Sequence, residues 1–144
     1  MTTVEQILMI KGPDVIVADP TTTVLEAARL MTESNVGSIV IREDNVAKGI
    51  FTERDLMQRV VAVRKDPATL QMSAVMSSPV RSCRLSDDIH HCGGLFAESH
   101  IRHLAVVEDG TLVGLISLRD IQTAEIHEDE EEIERLLYFT SKTT

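Results

Sequence analysis

Hydrophobic and polar residues follow the same order twice along the chain. Short apolar segments at 15–18 and 80–83 each precede a stretch in which apolar residues recur at helical spacing. Two mostly apolar stretches follow, separated by Asp44-Asn45 in one half and Asp109-Gly110 in the other. Both pairs are typical of two-residue hairpin turns, and Asp-Gly is the stronger type I′ signal. Each half is therefore predicted to fold in the order strand, helix, strand, strand, helix.

The two halves match at a constant offset of 65 residues. Residues 49–56 (GIFTERDL) resemble residues 114–121 (GLISLRDI), and Val15 pairs with Val80 in the same register without a gap. One register over this whole span indicates a duplication rather than a chance similarity. Each half is too short to bury a good core alone. We therefore expect an α/β (α+β) fold in which two β-α-β-β-α repeats pack about a pseudo-twofold axis.

The limits of the repeats are predicted from local breaks. Repeat 1 is assigned to residues 1–66, repeat 2 to 67–126 and an acidic helix or tail to 127–144, since Asp66-Pro67 interrupts the chain. Hydroxyl side chains at 21–23 and at Ser86 are the predicted caps of the first helix in each repeat.

The C-terminal segment mixes apolar residues with acids. The spacing of Ile121, Ile126, Ile133 and Leu137 predicts an amphipathic helix, interrupted near residues 127–130. Its apolar face is suited to packing on the chain's own body or on a second copy, and the sequence favours neither.

Composition narrows the classes of partner. The chain has 144 residues, a net charge of −9 and only 3% aromatic residues, so its core must be aliphatic. A chain this acidic is repelled by phosphate backbones, and we expect no nucleic-acid partner. It shows no signal-peptide pattern and no apolar run near the roughly 20 residues that a bilayer span requires, which predicts a cytoplasmic protein without a membrane partner.

Two equivalent motifs carry the candidate chemistry, each at the passage from a strand to a helix. Each contains a hydroxyl residue, an arginine and an aspartate: Thr52, Arg54 and Asp55 in repeat 1, and Ser117, Arg119 and Asp120 in repeat 2. The hydroxyl group and the arginine suit a phosphate at the helix start, and the carboxylate suits the vicinal hydroxyls of a ribose. The alternative is a capping box that stabilises the helix without any ligand, since duplication copies caps as well.

The residues before the hairpins differ between the repeats. Arg102 and His103 begin the predicted strand of repeat 2, where repeat 1 has Gly37 and Ser38. Arginine and histidine at this point suit a phosphate group, and histidine adds a pH dependence near neutrality. The alternative is a solvated strand start or a salt bridge with the acidic tail.

No catalytic or metal site is predicted. The side chains of His90, His91 and Cys92 are adjacent on a helix and point in different directions, so they are not expected to share one ion. Cys83 and Cys92 form no CxxC motif and are expected to be small buried apolar residues. The chain has no phosphate-binding loop and no nucleophile elbow, so we expect no enzyme.

The paired Gly-hydrophobic-x-Thr/Ser-x-Arg-Asp motifs resemble the CBS domain family, named after cystathionine β-synthase. The resemblance runs from about residue 4 to 125 and includes VEQILM at 4–9, SAVM at 73–76 and DPTTTV at 19–24. The chain looks like a stand-alone tandem CBS pair, a Bateman module.

The resemblance implies a regulatory module with two clefts that bind AMP, ADP, ATP or S-adenosylmethionine. Asp55 and Asp120 would contact ribose, and Thr52 and Ser117 would contact phosphate. Gly37, Ser38, Arg102 and His103 would line the two clefts, which would differ in their affinity for the ligand. The resemblance also implies a homodimer and a regulated partner protein that the sequence does not identify. The alternative function is a ligand-independent dimeric interaction scaffold.

Overall fold

The computed structural model describes residues 1–142. The first half contains α1 (Val4–Lys11), β1 (Val17–Ala18), α2 (Val24–Ser34), β2 (Ser38–Glu43), β3 (Val46–Thr52) and α3 (Glu53–Leu56), which a π-helical segment (Met57–Val61) extends. The second half contains α4 (Met72–Val75), β4 (Ser82–Cys83), α5 (Ile89–Ser99), β5 (His103–Glu108), β6 (Thr111–Ser117) and α6 (Leu118–Lys142). The predicted order of strands and helices is confirmed in both repeats.

Each repeat forms its own three-stranded sheet. The strand orders are β1-β2-β3 and β4-β5-β6, and in both sheets a short parallel strand joins an antiparallel hairpin. The turn residues Asp44 and Asn45 have φ angles of 52° and 63°, and Asp109 and Gly110 have 50° and 78°. A type I′ turn needs a positive φ at both central residues, so both predicted hairpins are confirmed.

The first helix of each repeat is capped at equivalent positions. The Thr23 side chain accepts a hydrogen bond from the Glu26 backbone N–H at 3.2 Å. Asp88, which lies 65 positions after Thr23, accepts one from the His90 backbone N–H at 3.1 Å. The prediction of Ser86 as a cap is wrong, because α5 begins at Ile89 and the carboxylate of Asp88, two residues after Ser86, caps it.

The two short helices are exchanged between the repeats. α1 lies at the start of repeat 1, but its Val4, Ile7 and Leu8 belong to the core of repeat 2. α4 lies at the start of repeat 2, and its apolar residues complete the core of repeat 1. The boundary between residues 66 and 67 stays a prediction, and this packing crosses it.

Glycines in the two motifs make room for the exchanged helices. A Cβ atom added at Gly114 would overlap the Leu8 side chain, and one added at Gly49 would overlap the Met76 side chain. The cores themselves are mostly aliphatic, with one phenylalanine in each, and they bury equivalent positions in the two repeats. Val24 and its equivalent Ile89 are fully buried, as are Phe51 and its equivalent Ile116. The pseudo-twofold arrangement is therefore confirmed.

The C-terminal helix α6 is continuous over 25 residues. The predicted interruption near residues 127–130 is wrong, because this segment contains no glycine or proline to break the helix. Glu128 also ties the helix to the body, since it accepts a hydrogen bond from the Thr2 backbone N–H at 3.0 Å and lies 3.0 Å from Nε2 of His90. Beyond this point several apolar side chains are exposed: Ile133, Leu136, Leu137, Tyr138 and Phe139. No helix within residues 1–142 is both long and apolar enough to cross a membrane.

Candidate ligand-binding cleft

A cleft of about 700 Å³ lies between the two repeats. Its volume falls in the range of roughly 300–1,000 Å³ that is typical of small-molecule sites. Residues from both repeats line the cleft, including six of the ten predicted site residues: Gly37, Ser38, Arg102, His103, Ser117 and Arg119. The fold therefore brings together segments that are far apart in sequence.

Backbone pairing places the start of β5 against the start of α6. His103 lies opposite Ser117 in the antiparallel ladder of β5 and β6. The Leu118 backbone N–H donates to the Arg102 carbonyl oxygen at 2.9 Å. These contacts hold the imidazole and the hydroxyl group beside the first turn of α6, whose positive dipole end favours an anion.

Repeat 1 has the same scaffold with smaller side chains. Ser38 lies opposite Thr52 in the ladder of β2 and β3, and the Glu53 backbone N–H donates to the Gly37 carbonyl oxygen at 3.1 Å. The wall that repeat 1 contributes to the cleft therefore carries no charge at Gly37 and Ser38.

Asp120 caps α6 and forms an ion pair with Lys11, which lines the cleft. Its Oδ2 accepts hydrogen bonds from the Ser117 backbone N–H at 2.8 Å and from Nζ of Lys11 at 2.6 Å. Lys11 Nζ also donates to the Leu115 carbonyl oxygen at 2.9 Å. Burial acts to raise the pKa of Asp120, but the hydrogen bonds from Lys11 and Ser117 outweigh it and hold the pKa below its ordinary value.

The charge balance of the cleft is opposite to that of the whole chain. Lys11, Arg102 and Arg119 line it with positive charge, whereas Asp14 is the acidic residue in its wall. Burial, together with the charge of Lys11, lowers the pKa of His103, so this imidazole is neutral at neutral pH. A basic cleft in a protein of net charge −9 concentrates anions at one place on the surface.

The motif of repeat 1 lies outside this cleft. Asp55 is only 7% exposed, and its Oδ2 accepts hydrogen bonds from the backbone N–H and the hydroxyl group of Thr52 at 3.0 and 3.2 Å. Its Oδ1 accepts one from the Ser77 hydroxyl group at 3.2 Å and lies 3.7 Å from Nε of Arg59. Both carboxylate oxygens are thus engaged within the chain, in the capping-box geometry that the sequence offered as the alternative.

The two motif aspartates differ in their surroundings because different segments, one near the start of each repeat, pack against them. Ser77 forms an antiparallel bridge with Ile50 and covers Asp55. The corresponding place in repeat 2 is occupied by the end of α1. This helix has eight residues, whereas α4 has four. Lys11 lies in the last turn of α1 and reaches Leu115 and Asp120 with its side chain.

Lys11 is the positively charged cleft residue that sequence reasoning missed. The available signal was the longer helix-forming segment before repeat 1, compared with the short one at 72–75. That signal shows an extra turn of helix but does not show that Lys11 contacts Asp120, which lies 109 residues away.

Comparison with known sequences agrees with this architecture. A family model described as the CBS domain matches residues 4–62 and 72–127. The CBS domain-containing protein YhcV of Bacillus subtilis is 37% identical over 102 residues, which cover 71% of this chain and 72% of that protein. A protein of Methanopyrus kandleri is also 37% identical, over 114 residues that cover 78% of this chain and 58% of that protein. The chain thus spans little more than half of the Methanopyrus relative.

Solved structures are similar over most of their length. The CBS-domain containing protein ATU1752 of Agrobacterium tumefaciens has a TM-score of 0.81 and 31% identity, covering 86% of this chain and 99% of that one. The CBS domain protein PAE2072 of Pyrobaculum aerophilum, whose structure is a complex with AMP, has a TM-score of 0.74 and 28% identity. Its match covers 83% of this chain and 89% of that one.

Proposed function

Because the chain belongs to the CBS domain family, with one repeat in each half, we propose that it binds an adenosine nucleotide between its repeats and thereby regulates a partner protein. The chain is a tandem CBS pair, a regulatory module. The observation that carries the proposal is the convergence of Arg102, His103, Ser117 and Arg119 on one cleft. We propose no catalytic role.

The cleft offers a complementary group for each part of a nucleotide. Arg102, Arg119 and the Ser117 hydroxyl group suit the phosphate, since charge-assisted hydrogen bonds to phosphate are strong. The Asp120 carboxylate suits the ribose hydroxyls once Lys11 moves aside. Apolar side chains that line the cleft suit the adenine ring: Val15, Ile16, Val36 and Leu115. The AMP complex of the Pyrobaculum protein supports this class of ligand; ADP, ATP and S-adenosylmethionine share the adenosine group.

We propose one nucleotide per chain. A ligand role for Thr52, Arg54 and Asp55 stays a prediction. It requires displacement of the Ser77 segment, because Ser77 and Thr52 engage both oxygens of Asp55. The earlier expectation of two unequal clefts therefore takes a specific form, in which the cleft beside the motif of repeat 2 binds the nucleotide and the motif of repeat 1 serves as a helix cap.

A ligand-independent dimeric scaffold is the second candidate function. The observation that favours it is the set of apolar side chains on α6, where Ile133 and Leu137 are 56% and 65% exposed one helical turn apart. Two copies of an amphipathic helix can bury such side chains against each other, so we propose a homodimer formed through α6. Two results together would establish the scaffold: the protein forms a dimer, and it binds no nucleotide.

Calorimetric titration with AMP, ADP, ATP and S-adenosylmethionine tests the leading proposal. The variants are Asp120→Asn and its matched control Asp55→Asn, which changes the equivalent residue outside the cleft. We expect saturable binding of one ligand per chain, lost in Asp120→Asn and retained in Asp55→Asn. Flat titrations of folded wild-type protein with all four compounds would refute nucleotide binding, and equal losses in both variants would refute the assignment to this cleft.

A further inference from the structure

Two thiols and a carboxyl group meet in repeat 2, away from the cleft. The Sγ atoms of Cys83 and Cys92 and a carboxylate oxygen of Asp87 all lie within 4.8 Å of one another. Cys83 ends β4, Asp87 lies in the turn that follows, and Cys92 lies in the first turns of α5. The cysteines are 3% and 0% exposed, whereas Asp87 is only partly buried. Sequence reasoning grouped Cys92 with His90 and His91, but the fold gives it different neighbours.

Repeat 1 provides an internal control for this cluster. The positions equivalent to Cys83 and Cys92 are Ala18 and Ala27, which are 7% and 0% exposed. Repeat 1 fills these two positions with methyl groups, whereas repeat 2 has a sulfur atom at both.

The cluster has the donor atoms and spacing of a zinc-type site. Thiolates and carboxylates are common zinc ligands, and a tetrahedral centre with Zn–S bonds of about 2.3 Å holds its sulfur atoms about 3.8 Å apart. The spacing in repeat 2 is compatible with that geometry. The Arg84 backbone N–H donates to Oδ2 of Asp87 at 2.8 Å and fixes the direction of the carboxylate. Such outer hydrogen bonds orient metal ligands.

The two thiols are already coupled. A hydrogen bond from the Cys83 thiol lowers the pKa of Cys92, while the same interaction and burial raise the pKa of Cys83. A divalent cation bound to both sulfur atoms would release the two thiol protons to solvent.

We propose that Cys83, Asp87 and Cys92 bind one soft divalent cation of the zinc type, with the fourth coordination position open. The ion would link β4 to α5 and stabilise repeat 2. The partly exposed Asp87 gives it access from solvent.

Metal titration of the full chain tests this proposal. The reduced protein, in a phosphine reductant that does not bind metal, competes with a chromophoric chelator for Zn²⁺. Co²⁺ serves as a second probe, because thiolate ligands produce a sulfur-to-cobalt charge-transfer band. The variants Cys83→Ala, Cys92→Ala and Asp87→Thr restore the residues found at the equivalent positions of repeat 1. His91→Ala, an exposed neighbour outside the cluster, is the control.

We expect one Zn²⁺ per wild-type and per His91→Ala chain, with a higher melting temperature when the metal is bound. Stoichiometric binding and the charge-transfer band should be lost in both cysteine variants, whose folding is checked by circular dichroism. Unchanged Zn²⁺ affinity in the cysteine variants would overturn the proposal. A reduced wild-type protein that binds no Zn²⁺ would also overturn it, and a Cys83–Cys92 disulfide in the oxidised protein would then point to a redox pair.

Discussion

Nζ of Lys11 lies 2.6 Å from Oδ2 of Asp120 and joins the last turn of α1 to the first turn of α6. Asp120 is the residue proposed to bind ribose, so a nucleotide has to compete with Lys11 for the same carboxylate. The released ammonium group would then be free to approach the phosphate. The ion pair thus couples the cleft to the N-terminal helix.

The Lys11–Asp120 pair makes stability depend on pH. Because the pKa of Asp120 is lower in the folded chain than in the unfolded chain, its contribution is present above the unfolded value and is lost as the pH falls through the folded value. Both side chains are partly exposed, so we expect Lys11→Met to cost about 1 kcal/mol or less at pH 7.

Urea unfolding of wild type and Lys11→Met at several pH values measures this contribution. The difference between the two proteins should shrink towards zero in acid. A difference that stays constant down to the acid limit would show that Lys11 acts by packing instead.

Substitution of two equivalent arginines tests whether the nucleotide binds in the cleft or at the motif of repeat 1. Arg119→Ala removes a cation from the cleft, whereas Arg54→Ala changes the equivalent position of repeat 1, outside it. We expect Arg119→Ala to weaken AMP binding by about 10-fold or more and to reduce its salt dependence, because a charged phosphate contact contributes about 1.5–3 kcal/mol. Arg54→Ala should bind as wild type does. Calorimetry at two salt concentrations makes the comparison, and equal affinities for the two variants would contradict the assignment.

His103 should make nucleotide binding pH-dependent. Its pKa is lowered by burial and by Lys11, so the folded protein holds it neutral where the unfolded chain is already partly protonated. Stability from this residue is present above the unfolded pKa and is lost as the pH falls through the folded value. Phosphate binding favours the imidazolium form, so AMP affinity should rise as the pH falls over that range.

Nuclear magnetic resonance of the His103 ring gives its pKa with and without AMP, and His103→Gln should remove the pH dependence of affinity. If AMP leaves the pKa of His103 unchanged, the phosphate does not lie beside this ring.

Gly114 and Gly94 should respond to alanine in opposite ways. A Cβ at position 114 would overlap the Leu8 side chain, and overpacking of this kind typically costs about 1–3 kcal/mol. Gly94 lies in α5 with open space around its Cα, so Gly94→Ala should stabilise the protein by up to about 1 kcal/mol.

Chemical denaturation measures both changes. Leu8→Ala combined with Gly114→Ala should cost less than the sum of the single variants, because the smaller residue removes the overlap. Strict additivity would show that α1 does not press on this glycine.

Local signals determined what could be predicted from the sequence. Asp44-Asn45 and Asp109-Gly110 fix their turns through their own backbone preferences, and the apolar spacing marks the helices. The contact of Lys11 with Asp120, the cover of Ser77 over Asp55 and the approach of Cys83 to Cys92 depend on the packing of whole elements. A single sequence contains no local signal for such contacts. The error at residues 127–130 is different, since the absence of glycine and proline was a local signal for a continuous helix, and Thr2 and His90 add contacts to Glu128 that the sequence does not show.

The exchange of α1 and α4 bears on how the protein arose. Each repeat donates its first helix and accepts the equivalent helix of the other repeat. A single ancestral repeat with its leading helix would thus be self-complementary, and two identical chains would close both cores by the same reciprocal contact. If the protein arose from such a homodimer, gene fusion had to supply only a linker, because the interface would already have been present.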